Sequence, residues 1–449
     1  MRDTVLLCTV GGSHEPVLEA IKSSGPRYVC FICSGRDPVT ARPGSIGQIV
    51  GAGNVIKKHR DDKTPSLPNI PTQARLADGS FEVWEVPADD LDKAFLIIRQ
   101  GISELATRFP GAVMVADYTG GTKTMTAALV AVALESDDVE LQLVTGPRSD
   151  IRSVKSGTER AVGASVNRVR IDRAMAVHLD AWGRFAYREA AHGLDRIKVA
   201  ADAPDRPRLE LARAMSHGFA SWDDFDHGGA LDRLEVFAAR IAPDHPKMLG
   251  TIRLLSRQGD DDPKVAAARL FDLWLNAKRR AERGRYDDAI ARVYRLIEWT
   301  AQWQLRTKLG VNTSDLPRSM VPTGVGPAFG RDGKIQVGLQ HAWQVVREQM
   351  DGPAGDFVAE HGNSMRNLLQ KRNHSILAHG FHPVKRQDWR DVHSWMRDLF
   401  LPLLGKLALE VGLREAPPQL PTRPPKSIVE TGSGGVPPSP GSRRNSGTP

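Results

Sequence analysis

Asp117-Tyr-Thr-Gly-Gly-Thr-Lys-Thr-Met-Thr126 is the stretch that decides the fold of the N-terminal part of the chain. It follows the apolar run 112–116 and precedes the small apolar residues 127–134, which predicts a buried strand, a polar glycine turn and a helix. Such a turn directs backbone N–H groups, hydroxyls and one ammonium group to the helix N-terminus, where anions are favoured. We therefore expect a phosphate-bearing ligand at the carboxyl end of a parallel sheet.

The segments around this stretch alternate apolar strands with helices. Strands are predicted at 4–10, 28–32, 81–86 and 139–144, and an amphipathic helix at 90–108. This alternation predicts an α/β Rossmann-like, doubly wound sheet. Ligands of such sheets bind outside the carboxyl ends of the strands. The segments expected on that rim are 9–13, 119–124 and 145–148.

Two common phosphate loops do not fit the glycine turn. A Walker A loop needs a glycine directly before the lysine, where this chain has Thr122. A dinucleotide fingerprint needs G-x-G-x-x-G after the first strand, and Gly11-Gly-Ser-His-Glu-Pro16 does not supply it. A plain strand-to-helix turn is the remaining alternative, but such a turn needs neither the lysine nor so many hydroxyls.

Composition describes a globular chain with a basic surface. The 449 residues carry a formal charge of +8, with a pI near 9.4, which favours a polyanionic partner without identifying one. No stretch of about 18 uninterrupted apolar residues occurs and the first strand follows no signal-peptide pattern, so we expect a cytoplasmic protein with no membrane partner. The three cysteines are too few for a disulfide framework. Cys30 and Cys33 lie in one strand and should point to opposite faces, which does not suit a metal clamp.

The second half of the chain is predicted to be helical. Beyond residue 174 strand-like alternation gives way to helical periodicity, clearest from Tyr286 to Leu309, where acidic residues occupy the first turn and Gly310 follows the end. Residues 414–449 are rich in Pro, Gly, Ser and Thr, which predicts a disordered tail.

One predicted helix carries chemistry. In Met365-Arg-Asn-Leu-Leu-Gln-Lys-Arg-Asn-His-Ser-Ile-Leu-Ala-His379, Arg372 and His379 are two helical turns apart and share a face. Arginine can stabilise a pentacoordinate phosphate and histidine can move a proton, while Asn373 could orient either group. By spacing alone a solvated face or a salt-bridged pair is the alternative. A metal site is disfavoured because His374 and His379 are five residues apart.

Together, the two stretches resemble a known family. Thr9-Val-Gly-Gly-Ser13 and Asp117-Tyr-Thr-Gly-Gly-Thr-Lys-Thr124 resemble the ligand loops of CRISPR-associated Rossmann-fold (CARF) domains. Arg372, Asn373 and His379 resemble the R-x(4 to 6)-H motif of HEPN ribonucleases. The chain from 1 to about 412 is similar to the accessory CARF-HEPN ribonucleases of type III CRISPR systems.

The resemblance implies a ligand-gated enzyme. A homodimer would bind a cyclic oligoadenylate, of a ring size the sequence leaves open, and would then cleave single-stranded RNA without a metal or other cofactor. Arg372, Asn373 and His379 of both protomers would form one catalytic centre. The residues implied in ligand binding are Thr9, Gly11, Gly12, Ser13, Thr119, Gly120, Gly121, Thr122, Lys123 and Thr124.

The implied domains are a ligand-sensing CARF-like domain at 1–172, a helical linker or insert at 173–265, a HEPN-like nuclease domain at 266–413 and the tail at 414–449. Two other functions stay open at this point. One is a CARF-type sensor whose helical domain is a non-catalytic regulatory or binding module. The other is a Rossmann-like enzyme that acts on a nucleotide, with a purely structural helical half.

Overall fold

The computed structural model describes most of the chain. The described residues are 3–36, 41, 43–58, 62–136, 138–146, 160–200, 202–259, 262–373 and 383–429, without the side chains of 370–373. The chain divides into two compact units, residues 1–173 and 174–449. The finer division into a linker, a nuclease domain and a tail stays a prediction. The start of the predicted tail, residues 414–429, is described below.

The N-terminal unit alternates strands and helices, as predicted. Its strands are β1 Thr4–Thr9, β2 Tyr28–Ser34, β3 Asn54–Ile56, β4 Leu67–Pro68, β5 Phe81–Val86, β6 Val113–Asp117, β7 Val139–Thr145 and β8 Arg160–Ala164. Its helices are α1 Glu15–Ser24, α2 Gly47–Val50, α3 Ile70–Gln73, α4 Leu91–Arg108 and α5 Lys123–Glu135.

Six strands form one sheet in the order β5-β2-β1-β6-β7-β8. The first five are parallel to their neighbours, and β8 pairs antiparallel with β7 at the edge. Strands β2 and β5 follow β1 on one side of it, and strand β6 then pairs with the other side of β1. The strand order therefore reverses between β1 and β6, and ligands of open α/β sheets bind at such a reversal.

Both faces of the central strands are buried. Leu7, Cys30 and Ile32 pack with α4 and α5 on one face, whereas Phe31 and Cys33 pack with α1, α2 and α3 on the other. This double coverage explains the continuous apolar runs of β1 and β2. It also confirms that Cys30 and Cys33 point to opposite faces of the sheet.

The second unit is helical, which confirms the predicted fold class. The remaining helices are α6 Asn167–Leu179, which crosses the division between the units, α7 Tyr187–Asp195, α8 Arg206–Asp223, α9 His227–Glu235, α10 Ala238–Ile241, α11 Pro246–Leu255, α12 Pro263–Glu282, α13 Tyr286–Leu309, α14 Leu339–Gln349, α15 Pro353–Asn373, α16 Arg386–Trp395, α17 Leu401–Glu410 and α18 Lys426–Val429. One π-helical turn, Met396–Phe400, joins α16 to α17. None of the helices in the described part of the chain combines the length and the hydrophobicity that a membrane span needs.

Helix α13 has the predicted bounds. It begins at Tyr286 with Asp287 and Asp288 in its first turn and ends at Gly310, which has φ 65° and donates its N–H to the Arg306 carbonyl. The predicted helix from Met365 to His379 differs from the structure at its start. Helix α15 begins 12 residues earlier, at Pro353, because Phe357 and Val358 extend its apolar face into the core. Residues 374–379 lie outside the described residues.

A buried charge cluster, formed by Asp223, Asp272, Asn276, Arg279 and Arg280, joins α8 to α12. The Asp223 carboxylate accepts hydrogen bonds from Arg279 Nε at 2.7 Å and Asn276 Nδ2 at 3.0 Å, and Arg280 lies 3.1 Å away. Arg279 is fully buried, so its charge depends for compensation on this carboxylate and on that of Asp272, 3.7 Å away.

The prediction of disorder from residue 414 onward is wrong for residues 414–429. Gln419 accepts a hydrogen bond from Arg279 at 2.7 Å, and the Pro421 carbonyl accepts one from Tyr187 at 2.8 Å. Leu420 and Ile428 are buried. Composition favoured disorder, but this segment supplies hydrogen-bond acceptors to the side chains of Arg279 and Tyr187. Residues 430–449 lie outside the described residues.

Candidate functional sites

The loops that follow β1 and β6 are joined directly to each other. The Thr9 hydroxyl donates to the Gly120 carbonyl at 2.7 Å and lies 3.3 Å from the Asp117 carbonyl. The β1–α1 loop is also held from α2, where the Gln48 side-chain amide donates to the Gly11 carbonyl at 2.5 Å. The structure therefore brings the two glycine segments together at the strand reversal, as the sheet topology predicted.

Close backbone contact accounts for two of the glycines, and backbone conformation accounts for a third. A Cβ on Gly11 would lie 2.6 Å from the Gly121 nitrogen, and a Cβ on Gly120 would lie 2.4 Å from the Thr9 carbonyl oxygen. Gly121 has φ 86°, a conformation that other residues rarely adopt. A Cβ on Gly12, in contrast, would meet no atom within 4 Å.

Most threonine hydroxyls of the β6–α5 turn have partners within the fold. Thr119 Oγ1 accepts the Val144 N–H at 2.7 Å, and Thr126 Oγ1 donates to the Gly120 carbonyl at 3.0 Å. Thr122 caps α5 by accepting the Met125 N–H at 3.2 Å, and it donates to the Ala88 carbonyl at 2.7 Å. Hydroxyls that the sequence assigned to a ligand thus hold the turn itself. The sequence could not reveal the bonds to Val144 and Ala88 because these partners are remote in the chain.

Lys123 and Ser13 remain available for a ligand. Both side chains are exposed, and no carboxylate of the described residues forms an ion pair with Lys123. Lys123 is the first residue of α5, whose first turn contains no acidic residue. A lysine at a helix N-terminus adds to the positive end of the helix dipole. This arrangement lowers the energy of a bound anion, since the cation and the dipole both attract it.

Asp117 is a carboxylate that the turn buries. Its Oδ1 accepts the Thr119 N–H at 3.0 Å and its Oδ2 accepts the Gln142 side-chain amide at 3.2 Å. Burial raises the pKa of the Asp117 carboxyl above its usual value, and the two hydrogen bonds only partly oppose this shift. Asp117 therefore holds the turn in place through hydrogen bonds within the fold. On the third segment of the predicted rim, Arg148 lies outside the described residues.

The second predicted site lies at the end of α15. The backbone of α15 includes Arg372 and Asn373 at its C-terminal end, but their side chains and His379 lie outside the described residues. The assignment of these three residues to catalysis stays a prediction.

Aromatic packing holds α15 in the helical unit. The Phe357 ring packs at centroid distances of 6.2 Å from Trp343, 6.1 Å from Trp395 and 5.8 Å from Phe400. Trp395 also donates its indole N–H to Ser364 Oγ at 3.1 Å. The helix that carries Arg372 is thus attached to α14 and to the π-helical turn along its first half.

The segment that follows the motif is attached to α13. The Val384 N–H donates to the Asp287 carboxylate at 3.2 and 3.3 Å, immediately before α16 begins. The sequence indicated Asp287 only as a first-turn residue of α13. No local pattern points to a partner 97 residues away, so the sequence reasoning missed this positioning role.

Comparison with known proteins agrees with both units. Residues 260–400 match the family model of the Csm6 HEPN domain. The structure of Enterococcus italicus Csm6 bound to cyclic hexa-2'-fluoro-hexa-dAMP is similar over 92% of this chain and 95% of that chain, with a TM-score of 0.55 and 10% sequence identity. At this identity the likeness shows the fold.

A second solved structure is Can2 from Sulfobacillus thermosulfidooxidans in complex with cyclic tetra-adenylate. It covers 54% of this chain and 69% of that chain at 11% identity, and its TM-score of 0.22 is too low to support an argument. None of the curated proteins matches this chain. The resemblance predicted from the two motif stretches agrees with both comparisons: residues 260–400 match the Csm6 HEPN domain family, and the fold of the chain is similar to that of a Csm6 protein.

Proposed function

We propose that the chain is an endoribonuclease of type III CRISPR defence that a cyclic oligoadenylate activates. The match of residues 260–400 to the Csm6 HEPN domain carries this proposal, because HEPN domains of this kind are generally nucleases. The similarity to E. italicus Csm6, which was bound to a cyclic hexanucleotide, supports the sensing role of the first unit.

The activator would bind at the joined β1 and β6 loops. Lys123 and the N-terminus of α5 would attract its phosphates, while Ser13, Thr124 and the backbone of Gly11, Gly12, Gly120 and Gly121 would contact phosphate and ribose oxygens. For Thr9, Thr119 and Thr122 we propose indirect contributions, because their hydroxyls already hold the turn together.

RNA cleavage would use Arg372, Asn373 and His379. The 2′-hydroxyl oxygen of the RNA attacks the adjacent phosphorus and the bond to the 5′-oxygen breaks, so the products are a 2′,3′-cyclic phosphate and a free 5′-hydroxyl. His379 moves the proton between the attacking and leaving oxygens, Arg372 compensates the charge of the pentacoordinate phosphate, and Asn373 orients it. No metal is needed for this reaction. The centre would be composite, with residues from both protomers of a homodimer.

A cleavage assay tests this function directly. Purified protein is incubated with labelled single-stranded RNA and cyclic tri-, tetra- or hexa-adenylate, with and without EDTA. We expect cleavage with one ring size that EDTA does not reduce, and loss of cleavage in Arg372→Ala and His379→Ala with ligand binding retained. The hexa-adenylate is tried first because the E. italicus protein was bound to a cyclic hexanucleotide. Binding of the activator without cleavage by the wild type would favour a non-catalytic sensor instead.

A further inference from the structure

A cleft of about 440 Å³ opens between the C-terminal half of α12, the start of α13 and α16. Its walls include Lys278 and Glu282 on α12, Tyr286 on α13, and Arg386, Arg390 and His393 on α16. Arg386 and Arg390 are four residues apart, so their side chains extend from the same face of α16. None of the residues proposed above for activator binding or for catalysis is among the lining residues of this cleft.

The cleft collects positive charge that the fold does not neutralise. Within the described part of the chain, neither Lys278, Arg386 nor Arg390 forms an ion pair. Other exposed cations of the same unit are paired, such as Arg397 with Asp398 at 2.6 Å and Lys308 with Glu410 at 2.7 Å. Glu282 is the one acidic side chain among the lining residues. Three unpaired cations around one cleft repel one another, and a polyanion removes that repulsion.

Aromatic rings form one wall of the cleft. Trp389, a lining residue, stacks on Trp274 with ring centroids 6.0 Å apart and an interplanar angle of 28°. His393 packs 5.7 Å from Trp389, and burial, with Lys278 nearby, lowers the pKa of its imidazole. A neutral imidazole can both donate and accept hydrogen bonds. Basic side chains beside aromatic rings are the combination that single-stranded nucleic acids bind.

The cleft lies close to Val384, which follows His379 by five residues in the sequence. Tyr286 lines the cleft, and the next residue, Asp287, binds the Val384 N–H. Val384 is five residues beyond His379, a stretch of chain that spans at most roughly 18 Å. A strand of RNA several nucleotides long that reaches His379 can therefore also reach this cleft.

We propose that this cleft binds single-stranded RNA beside the cleaved phosphodiester, with Arg386, Arg390 and Lys278 on phosphates and with Tyr286 and His393 on bases. The proposal rests on the function proposed above, since it supplies that reaction with a substrate-binding surface. Arg386 and Arg390 are then binding residues, distinct from the catalytic Arg372 and His379.

Binding of uncleavable RNA tests the cleft apart from catalysis. Fluorescence anisotropy is measured with labelled 2′-O-methyl RNA, which lacks the attacking hydroxyl, and activator-saturated protein. We expect Arg386→Gln/Arg390→Gln to raise the Kd roughly tenfold. The slope of log Kd against log salt should fall by about 1.4, because each phosphate contact of a single strand contributes about 0.7. Lys406→Gln, an exposed change on α17 that does not line the cleft, should leave both quantities unchanged.

A variant with the opposite expected effect guards against misfolding. Glu282→Gln removes an exposed acidic group from the cleft and should lower the Kd, which a destabilised protein would not do. An unchanged Kd and salt slope in the double arginine variant would overturn the proposal, as would failure of the wild type to bind the RNA. Failure of the catalytic assignment would appear differently, as cleavage retained in Arg372→Ala together with normal RNA binding.

Discussion

Gly11 and Gly12 are neighbours with different surroundings. Gly11 faces the backbone of the β6–α5 turn, whereas a side chain on Gly12 would enter open space. Close packing therefore requires a glycine at position 11 of the β1–α1 loop. It does not require one at position 12. The sequence alone gives both residues the same role.

Gly11→Ala and Gly12→Ala form a matched pair that tests this difference. We expect Gly11→Ala to cost about 1–3 kcal/mol of unfolding free energy, because its Cβ overlaps the Gly121 backbone and the two loops must separate. Gly12→Ala should leave the stability close to wild type. Urea unfolding of both variants measures the difference, and equal stabilities would show that the two loops do not pack as closely as described.

Lys123→Gln tests the ligand role of the α5 N-terminus. We expect the concentration of cyclic oligoadenylate for half-maximal activation to rise about tenfold or more, because a charge-assisted contact to phosphate is lost. The maximal cleavage rate should persist at saturation. Lys22→Gln, in the last turn of α1, is the control with the same change in charge. An activation curve that Lys123→Gln does not shift would remove this residue from the site.

Asp117→Asn tests the cost of the buried carboxylate. The pKa of Asp117 is raised in the folded protein, so its ionised form opposes folding once the pH rises above the unfolded value of about 3.9. Asparagine keeps the acceptor for the Thr119 N–H, and the Gln142 amide can turn over to match it.

We therefore expect Asp117→Asn to be relatively most stable near pH 8 and to lose that relative advantage as the pH falls towards 4. Urea unfolding of both proteins across this range measures the trend. A stability difference that grows in favour of the variant on acidification would contradict the raised pKa.

At the scale of elements, helix α12 connects two parts of the helical unit. Its Asn276, Arg279 and Arg280 bind Asp223 at the end of α8, and Arg279 also binds Gln419 of the C-terminal segment. Two guanidinium donors of this cluster, Arg279 Nη2 and Arg280 Nε, are buried without a hydrogen-bond partner among the described residues. Loss of a further acceptor from this cluster should therefore lower the stability of the folded protein.

Asp223→Ala should destabilise the helical unit by about 3–5 kcal/mol, because the fully buried Arg279 then has only the more distant Asp272 carboxylate, 3.7 Å away, to compensate its charge. Asp232→Ala, an exposed position on α9, should change the unfolding free energy little. Thermal and urea unfolding compare the two variants. A loss at Asp223 no larger than that at Asp232 would mean that water or another carboxylate compensates Arg279.

At the scale of the whole molecule, the proposed function requires two copies of the chain. Light scattering after size exclusion should give a mass close to twice 49.2 kDa. A composite centre further predicts that excess Arg372→Ala protein, after subunit exchange with wild type, lowers the activity per wild-type chain, since mixed dimers contain an incomplete centre. Unchanged activity per wild-type chain in an exchanged mixture would show that each protomer carries its own centre.

Local pattern was sufficient for the class of fold and for the location of the glycine turn before α5. Continuous apolar runs, glycine turns and helical periodicity are properties of neighbouring residues, so they predicted β1, β6 and α13 with nearly the observed bounds. Helix α5 was predicted over 127–134 but begins four residues earlier, at Lys123. The pattern also located Lys123 at a helix N-terminus.

Only the tertiary structure decided which groups are free to bind. Thr119, Thr122 and Gly11 look alike as ligand residues in the sequence, but partners at Val144, Ala88 and Gly121 give them structural roles. The same is true of residues 414–429, whose composition indicated disorder although buried donors hold them. Hydrogen bonds and close contacts between residues far apart in the chain leave no local trace, because they depend on where the sheet and helices bring those residues together.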